Sequence, residues 1–406
     1  MTQSGSLPPV PGTPNIDVPK TDVRGRGFAT RAPLDAVEHW IDQHATCPQP
    51  RPVPLAEAAG CTLHGAVTAD TDWPPADRAS RDGVAVASAD TFGAGSYNPI
   101  PLLSAMPISA GEPLPPGTDA VLPVEAMQQD AGFIEALGSV APGEGVERQG
   151  EGVRAGTPLL AAGRVLRPQD IGLLAALGIE TVTAVARPHV RIVLAGGPRS
   201  GPEALGAMLA ALVTRDGGLP DLIGPLADRA ALTEAYAAPG ADLLLSAGRT
   251  GVGEDDVAPL ALADAGSLVV HGVAMRPGDS AGLGFAGGAL AVLLPGEPMA
   301  CLAAYELLAG RAVRRMAGRD AALPHPTREA VTARKLISEI GCADLYRVRL
   351  TDDGTVEPLA SPSVPGLSGA VRADGFVLIP AESEGVPAGS PVTVHGFDAT
   401  IRAGES

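Results

Sequence analysis

From residue 188 onward, short apolar runs alternate with helix-like segments, and this alternation limits the fold more than any other feature. The predicted elements, in order, are strand 190–194, helix 202–213, strand 241–246, helix 257–265, strand 267–273, strand 289–294 and helix 299–316. Strands that alternate with helices at this spacing predict a mostly parallel sheet within a three-layer α/β/α domain. The loops that follow these strands would then lie along one edge of the sheet.

The second predicted strand opens into the glycine-rich run AGRTGVGEDD at residues 247–256. Glycines at the carboxyl end of a parallel strand expose bare backbone N–H groups, where α/β proteins bind anionic ligands. The carboxylates that close the run suit a hard cation that bridges to such a ligand. Taken alone, the segment fits two interpretations equally: a cradle for a nucleotide or phosphate, and an ordinary βα turn followed by a solvated acidic helix start.

The charge balance restricts the class of ligand and the groups that could bind it. The formal net charge is −17 and no run of Lys or Arg is present, which argues against a nucleic-acid partner. Lys20 and Lys335 are the only lysines, so no glycine-rich loop here can carry a P-loop lysine. An anion would have to be bound by helix N-termini, backbone N–H groups or a placed Arg.

The cysteines and the chain start indicate a cytoplasmic protein. Cys47, Cys61, Cys301 and Cys342 lie far apart and form no CxxC pair, so we expect reduced, packed thiols. Residues 1–20 are rich in Pro, Ser and Gly and lack the pattern of a signal peptide. Because no stretch approaches 18 consecutive apolar residues, we expect no membrane span.

Composition shifts along the chain predict several domains, since 406 residues exceed what one core usually accommodates. A stretch early in the chain is rich in proline and glycine and contains only short apolar runs, which indicates a small inserted β-rich domain. Alternating apolar residues near the end indicate a β-barrel or sandwich. The predicted segments are a disordered tail at 1–30, a linking domain formed by 31–50 and 148–187, an inserted β-rich domain at 51–147, an α/β domain at 188–322 and a C-terminal β domain at 328–400.

Three further segments could carry chemistry. Asp82 with Gly83 can form a tight turn that presents a carboxylate before a strand, although alone a plain turn is the simpler interpretation. Arg276 follows a strand and could clamp an anion, or it could be a solvated partner of Asp279. The run PGEP at 295–298 leads into a helix whose first N–H groups could bind an anion, with the acidic residue at 297 competing.

In order and spacing, these segments resemble the MoeA family of molybdopterin molybdenumtransferases, which includes the gephyrin E domain. The resemblance covers about residues 33–397. Its landmarks are SRDGVA at 80–85, PGTDAV at 116–121, DIGLLAALGI at 170–179, the glycine-rich run at 247–256, HGVAMRPG at 271–278, PGEP at 295–298, and Ser368-Gly with ADG at 373–375.

The resemblance implies an α/β multidomain fold and an elongated homodimer with a molybdopterin-binding α/β domain. It further implies a molybdenum insertase that puts molybdate into adenylylated molybdopterin and releases AMP with the help of Mg²⁺, and that serves a molybdoenzyme or other cofactor-biosynthesis proteins. The residues carried over are Asp82, Asp170 and Glu254 as catalytic groups, Asp82 and Glu254 as metal ligands, and Ser246, Gly248, Gly253, Arg276, Pro295 and Gly296 as ligand-binding residues.

Several motifs depart from the family's usual residues. The chain has RDGVA at 81–85 for the family's MDGYA, AGGP at 195–198 for TGDE, RPGDS at 276–280 for KPGKP, PGEP for PGNP, and Gly341-Cys342 for Gly-Arg. These changes affect metal-binding carboxylates and anion-binding cations, and the loss of positive donors should weaken a site for the molybdate dianion. The sequence therefore leaves two hypotheses: an insertase, or a paralogue that keeps the fold as a pterin-binding or partner-binding scaffold without catalysis.

Overall fold

The computed structural model describes residues 22–130, 133–197 and 202–397, which divide into two compact units. One unit is formed by residues 50–184 and the other by the rest of the described chain. Pro198, the last residue of the AGGP motif, and residues 1–21 of the predicted tail lie outside the described residues.

Helices occupy both units. They are α1 Leu34–His44, α2 Pro168–Ala176, α3 Pro202–Asp216, α4 Arg229–Ala237, α5 Ala258–Ala265, α6 Pro298–Ala304, α7 Gly310–Met316 and α8 Ser368–Val371. A π-helical turn at Tyr305–Ala309 joins α6 to α7, so 298–316 is one continuous helix, as predicted for 299–316. Among the residues described, no helix is both long and apolar enough to cross a membrane.

The unit of residues 50–184 is built from short strands, which confirms the β-rich prediction. They are β1 Arg51–Pro54, β2 Thr62–Leu63, β3 Val67–Thr68, β4 Arg78–Ala79, β5 Gly83–Val86, β6 Ile100–Leu102, β7 Met106–Ile108, β8 Ala120–Pro123, β9 Met127–Asp130, β10 Phe133–Ala136, β11 Val146–Glu147, β12 Pro158–Leu160 and β13 Thr181–Val185. Strands β1 and β2 flank β13, and β3 pairs with β12. Residues 51–68 thus pair with residues 158–185, which the sequence analysis assigned to the linking domain. The predicted start of the inserted domain at residue 51 therefore differs from this strand pairing.

The remaining strands form the α/β domain and the C-terminal domain. They are β14 His189–Ala195, β15 Leu219–Leu226, β16 Leu243–Ala247, β17 Gly266–His271, β18 Met275–Arg276, β19 Gly282–Ala286, β20 Ala289–Leu294, β21 Thr327–Thr332, β22 Leu336–Ile337, β23 Ala343–Leu350, β24 Thr355–Pro358, β25 Gly375–Ile379, β26 Gly385–Val386 and β27 Pro391–Gly396. In the described part of the α/β domain, one sheet has the order β15-β14-β16-β20-β19-β17. Strands β15, β14, β16 and β20 are parallel, and β19 is antiparallel to both of its neighbours.

The sequence prediction missed β15 and β19, each for a physical reason. β15 lies at the sheet edge and contains Pro220 and Pro225, residues that argue against a strand in a sequence pattern but are tolerated at an edge. β19 contains Gly284, where an added Cβ would lie 1.9 Å from the Ser267 carbonyl oxygen. Close approach of two backbones therefore requires a glycine that sequence rules interpret as a strand breaker.

Helices cover both faces of this sheet and give the predicted three layers. On one face, α1, α3 and the 298–316 helix share a core with Leu243 and Leu245 of β16. On the other face, α4 and α5 pack against Leu244. Successive side chains of a strand point to opposite faces of the sheet, so Leu244 lies on the other face from Leu243 and Leu245, and the strand is buried on both sides. Helix α1 was predicted in the linking domain, but Asp42 at its end pairs with Arg311 of α7, so it packs with the α/β domain.

The C-terminal domain is a closed β-barrel, as predicted. The described strands β23, β24, β21, β27 and β25 each pair with the next, and β25 pairs with β23 to close the ring. Val348, Val356, Val377 and Val394 fill its interior. Strand β18 of the α/β domain adds to β23 outside the ring.

The end of the predicted disordered tail is ordered. The Gly25 N–H donates to the Val252 carbonyl at 2.8 Å, and the Ala32 N–H donates to the Gly272 carbonyl at 2.9 Å. The Arg31 guanidinium pairs with Asp279 at 2.7 Å. The prediction of disorder was therefore wrong for residues 22–30, which contact the glycine-rich loop of the α/β domain.

Candidate functional site

A cavity of about 330 Å³ lies at the carboxyl edge of the central sheet, where β14, β16 and β20 end. Its lining residues are Ala195, Gly196, Leu205, Gly248, Arg249, Asp255 and Gly296. The chain leaves β14 toward β15 on one side and leaves β16 toward β17 on the other, so the strand order reverses between β14 and β16. Ligands of open α/β sheets bind at such a switch point.

Part of the wall of this cavity is bare backbone, because the loops that form it approach one another closely. Gly248 has φ +103°, and an added Cβ would lie 2.2 Å from the Ala195 carbonyl oxygen. Its N–H donates to the Leu294 carbonyl at 2.9 Å, which ties the loop after β16 to the end of β20. A Cβ on Gly296 would lie 3.2 Å from the Gly248 Cα. Side chains are thus excluded at Gly248 and Gly296, and a ligand can reach the main chain there directly.

Ser246 lies beneath the cavity and does not line it. Its side chain is fully buried and its hydroxyl forms a hydrogen bond with the Tyr236 hydroxyl of α4. Burial raises the pKa of Tyr236 above its ordinary value, so the phenol stays neutral. Ser246 therefore supports the loop from below.

The outer part of the loop is held by residues of the neighbouring segment 271–280. The His271 Nε2 lies 2.8 Å from the Thr250 carbonyl oxygen, and the Thr250 hydroxyl lies 3.0 Å from that of Ser280. Burial lowers the pKa of His271, which favours a neutral ring that donates from Nε2 to the carbonyl. Sequence reasoning took HGVAMRPG only as a landmark, although its histidine positions the loop.

One carboxylate at the acidic end of the loop accepts a hydrogen bond from the loop's own backbone. The Gly253 N–H donates to Asp256 Oδ2 at 2.7 Å, and neither residue lines the cavity, whereas Asp255 does. Glu254 is exposed, and its carbonyl accepts a hydrogen bond from Arg24 at 3.2 Å. Across the ranges that the structure describes, no group of three or more His, Cys, Asp or Glu side chains could hold a metal ion. The residues present do not form a preassembled site for Mg²⁺, which commonly binds to one or two carboxylates together with substrate phosphates.

Arg276 is directed away from the cavity. Its Nε and Nη2 donate to the two oxygens of Asp344 at 2.8 and 2.7 Å, and its Nη1 pairs with Glu339 at 2.9 Å. The sequence suggested Asp279 as a partner, but Asp279 pairs with Arg31 instead. The anion clamp predicted at Arg276 is thus already occupied by carboxylates.

The loop 295–298 contributes Gly296 to the cavity, whereas Pro295 is not among the lining residues. Glu297 is the N-cap of α6: its Oε2 accepts from the Ala300 N–H and its Oε1 from the Gly366 N–H, both at 2.7 Å. The expected competition is therefore present, because the Glu297 carboxylate occupies the helix start that could have bound an anion.

The other two predicted catalytic residues belong to the unit of residues 50–184. Asp82 is exposed at the predicted turn before β5, and its Oδ1 accepts from the Ala110 N–H at 2.8 Å. Asp170 is buried and accepts hydrogen bonds from Arg164 and Arg167. These guanidinium groups, Arg164 first, hold the pKa of Asp170 well below its ordinary value. Asp170 thus has the environment of a structural ion pair at the start of α2.

Three family models match the chain in succession. The MoeA N-terminal region (domain I and II) matches residues 32–178, a probable molybdopterin binding domain matches residues 191–315, and the MoeA C-terminal region (domain IV) matches residues 329–397. The cavity residues described above fall within the second match.

Curated relatives and solved structures agree with these matches. Molybdopterin molybdenumtransferase 2 of Mycobacterium tuberculosis is 31% identical over 387 residues, which cover 85% of this chain and 95% of the relative. Molybdopterin molybdenumtransferase of Synechococcus elongatus is 28% identical, with 85% and 94% covered. The crystal structure of the molybdopterin biosynthesis MoeA protein from Pyrococcus horikoshii is 26% identical, covers 91% of this chain and all of its own, and aligns with a TM-score of 0.58.

Proposed function

The chain belongs to the MoeA family, and on that premise we propose that it acts in molybdenum cofactor biosynthesis as an insertase, placing molybdate into adenylylated molybdopterin with release of AMP. The observation that supports this most is the cavity at the switch point of the central sheet. It lies in the segment matched by the molybdopterin-binding model, and its bare backbone suits a phosphorylated ligand.

Within this proposal, Gly248 and Gly296 admit the phosphate-bearing part of the pterin ligand to the main chain, and Ser246 and Gly253 keep the loop in shape. Glu254 is exposed and is the proposed carboxylate for a divalent cation brought with the substrate phosphates. Asp82 is the second proposed metal ligand and catalytic carboxylate, since its Oδ2 accepts no hydrogen bond within the described residues. A homodimer, a cytoplasmic location and delivery to a molybdoenzyme belong to the same proposal.

The test is turnover by the purified protein with adenylylated molybdopterin, molybdate and Mg²⁺. We expect AMP release together with transfer of the completed cofactor to a molybdenum apoenzyme. Asp82→Ala should abolish both while the fold is retained, because the carboxylate is exposed and only one backbone N–H loses its acceptor. Full turnover by this variant would remove Asp82 from the mechanism.

A second candidate function is a non-catalytic scaffold that keeps pterin binding. It is favoured by Arg276, which is neutralised by Asp344 and Glu339, and by Glu297, which adds a negative charge beside the cavity. Both features reduce the attraction for a dianion such as molybdate. Retained pterin binding with no AMP release in the same assay would select this second function.

A further inference from the structure

Arg249 combines a left-handed backbone with a place in the cavity wall. Its φ is +53°, and within residues 22–130, 133–197 and 202–397 it is the only residue other than glycine with positive φ. A side chain with a Cβ is disfavoured in this conformation, and glycine would adopt it without strain. Such outliers persist where the surrounding structure enforces them, and they cluster at functional sites.

The guanidinium of Arg249 has few partners in its own loop. Its Nη1 donates one hydrogen bond, to the Asp255 carbonyl at 3.2 Å. Throughout the described part of the chain, no carboxylate lies within ion-pair distance of Arg249, in contrast to Arg276 and Arg215 of the same unit. Arg249 therefore has no ion-pair partner among the described residues, although Asp255 lines the same cavity and the chain as a whole carries a formal net charge of −17.

The position of this charge matches what a phosphate requires. Gly196, Gly248 and Gly296 line the cavity with main chain, Asp255 contributes one carboxylate, and Arg249 is the one cationic side chain among the described lining residues. A guanidinium presents planar donors that bind phosphate oxygens in pairs, and such charge-assisted hydrogen bonds are stronger than neutral ones.

We propose that Arg249 binds the phosphate or diphosphate group of the phosphorylated ligand in this cavity and supplies the cation that the glycine-rich loop otherwise lacks. The inference rests on the proposed function, because that function identifies the ligand as an adenylylated pterin. It also assigns a compensating role: Arg249 provides positive charge in the cavity, whereas Arg276 lies outside the cavity and is paired with Asp344.

The substitution Arg249→Gly separates this role from a structural one, because the two predict opposite changes in stability. Glycine removes the strain at φ +53°, so we expect the melting temperature to stay the same or rise. Loss of the guanidinium should weaken binding of adenylylated molybdopterin, and of AMP as a simpler probe, by about 10- to 100-fold. Arg249→Lys should retain part of the affinity, since it keeps the charge and loses the paired donors.

The measurement is isothermal titration calorimetry of both probes, with thermal unfolding of each variant. Arg334→Gly, which removes an exposed arginine of the barrel domain, is the control for the change in net charge and should bind like the parent chain. Equal affinity of Arg249→Gly and the parent chain would overturn this inference alone. A lowered melting temperature with unchanged affinity would assign Arg249 a structural role. Failure of the parent chain to bind either probe would overturn the proposed function and the inference with it.

Discussion

Arg276 and Asp344 form a two-point ion pair that joins the α/β domain to the C-terminal barrel. The pair lies where β18 runs beside β23, with Arg276 opposite Asp344 in the register. Asp344 is fully buried and also accepts a hydrogen bond from the Ser338 hydroxyl at 2.8 Å. A carboxylate in this environment depends on its arginine, so Arg276 is a structural residue of the junction.

The first prediction is that Arg276→Met destabilises the protein by about 3 kcal/mol, because Asp344 would remain buried without its cation. Urea denaturation gives the free energy of unfolding. The matched control is Arg229→Met, which breaks the exposed pair with Asp264 and should cost less than about 1 kcal/mol. Equal effects of the two changes would contradict a structural role for Arg276.

The second prediction concerns pH and the buried Glu306. Burial alone would raise its pKa, but hydrogen bonds from His325 and Arg215 outweigh burial and hold the pKa at about 2, below the ordinary 4.5. Because the folded pKa is lower, the unfolded chain takes up the proton first as the pH falls. The ionised Glu306 therefore stabilises the folded protein fully above pH 4.5. As the pH falls toward about 2, this contribution of about 3 kcal/mol to the free energy of unfolding is lost.

The Glu306→Gln variant tests the direction of this pH dependence of stability. It should be less stable than the parent chain at neutral pH, and its free energy of unfolding should change less between about pH 5 and pH 3. Glu234→Gln, an exposed change of the same type on α4, should leave the parent profile unaltered. A steeper acid dependence in Glu306→Gln would show that the carboxylate is not held ionised in the folded protein.

The third prediction is that Glu297→Ala lowers stability by about 2 kcal/mol. The change removes the N-cap acceptor of α6 and also the acceptor of the Gly366 N–H, which belongs to the barrel domain. Asp228→Ala, which removes the N-cap of α4 with its single bond to the Ala231 N–H, is the matched control and should cost about 1 kcal/mol. Thermal unfolding of both variants decides whether the second bond contributes.

Sequence reasoning predicted those features that depend on residues close together in the chain. The apolar run before Ser246 predicted a buried strand, which is confirmed, and the glycines after it predicted a loop open to a ligand, of which Gly248 lines the cavity. The partner of Arg276 could not be found this way, since Asp344 lies 68 positions further along the chain. Arg249 was overlooked because a lone arginine among glycines carries no local signal, and its importance depends on φ and on the cavity.

The last prediction tests the close approach that forms the cavity wall. Gly248→Ala would place a Cβ 2.2 Å from the Ala195 carbonyl oxygen, so the loop must move and the cavity must change shape. We expect a loss of more than about 2 kcal/mol in stability and of more than about tenfold in affinity for adenylylated molybdopterin.

Gly240→Ala is the control that isolates this contact. Gly240 has a similar φ of +96°, but an added Cβ there meets no atom within 4 Å. The two variants therefore share the strain of a left-handed alanine, about 1 kcal/mol, and differ in the clash with Ala195. If both variants lose ligand affinity equally, the loss would come from general destabilisation. Loss in Gly248→Ala alone would assign the binding site to the loops that meet at Gly248.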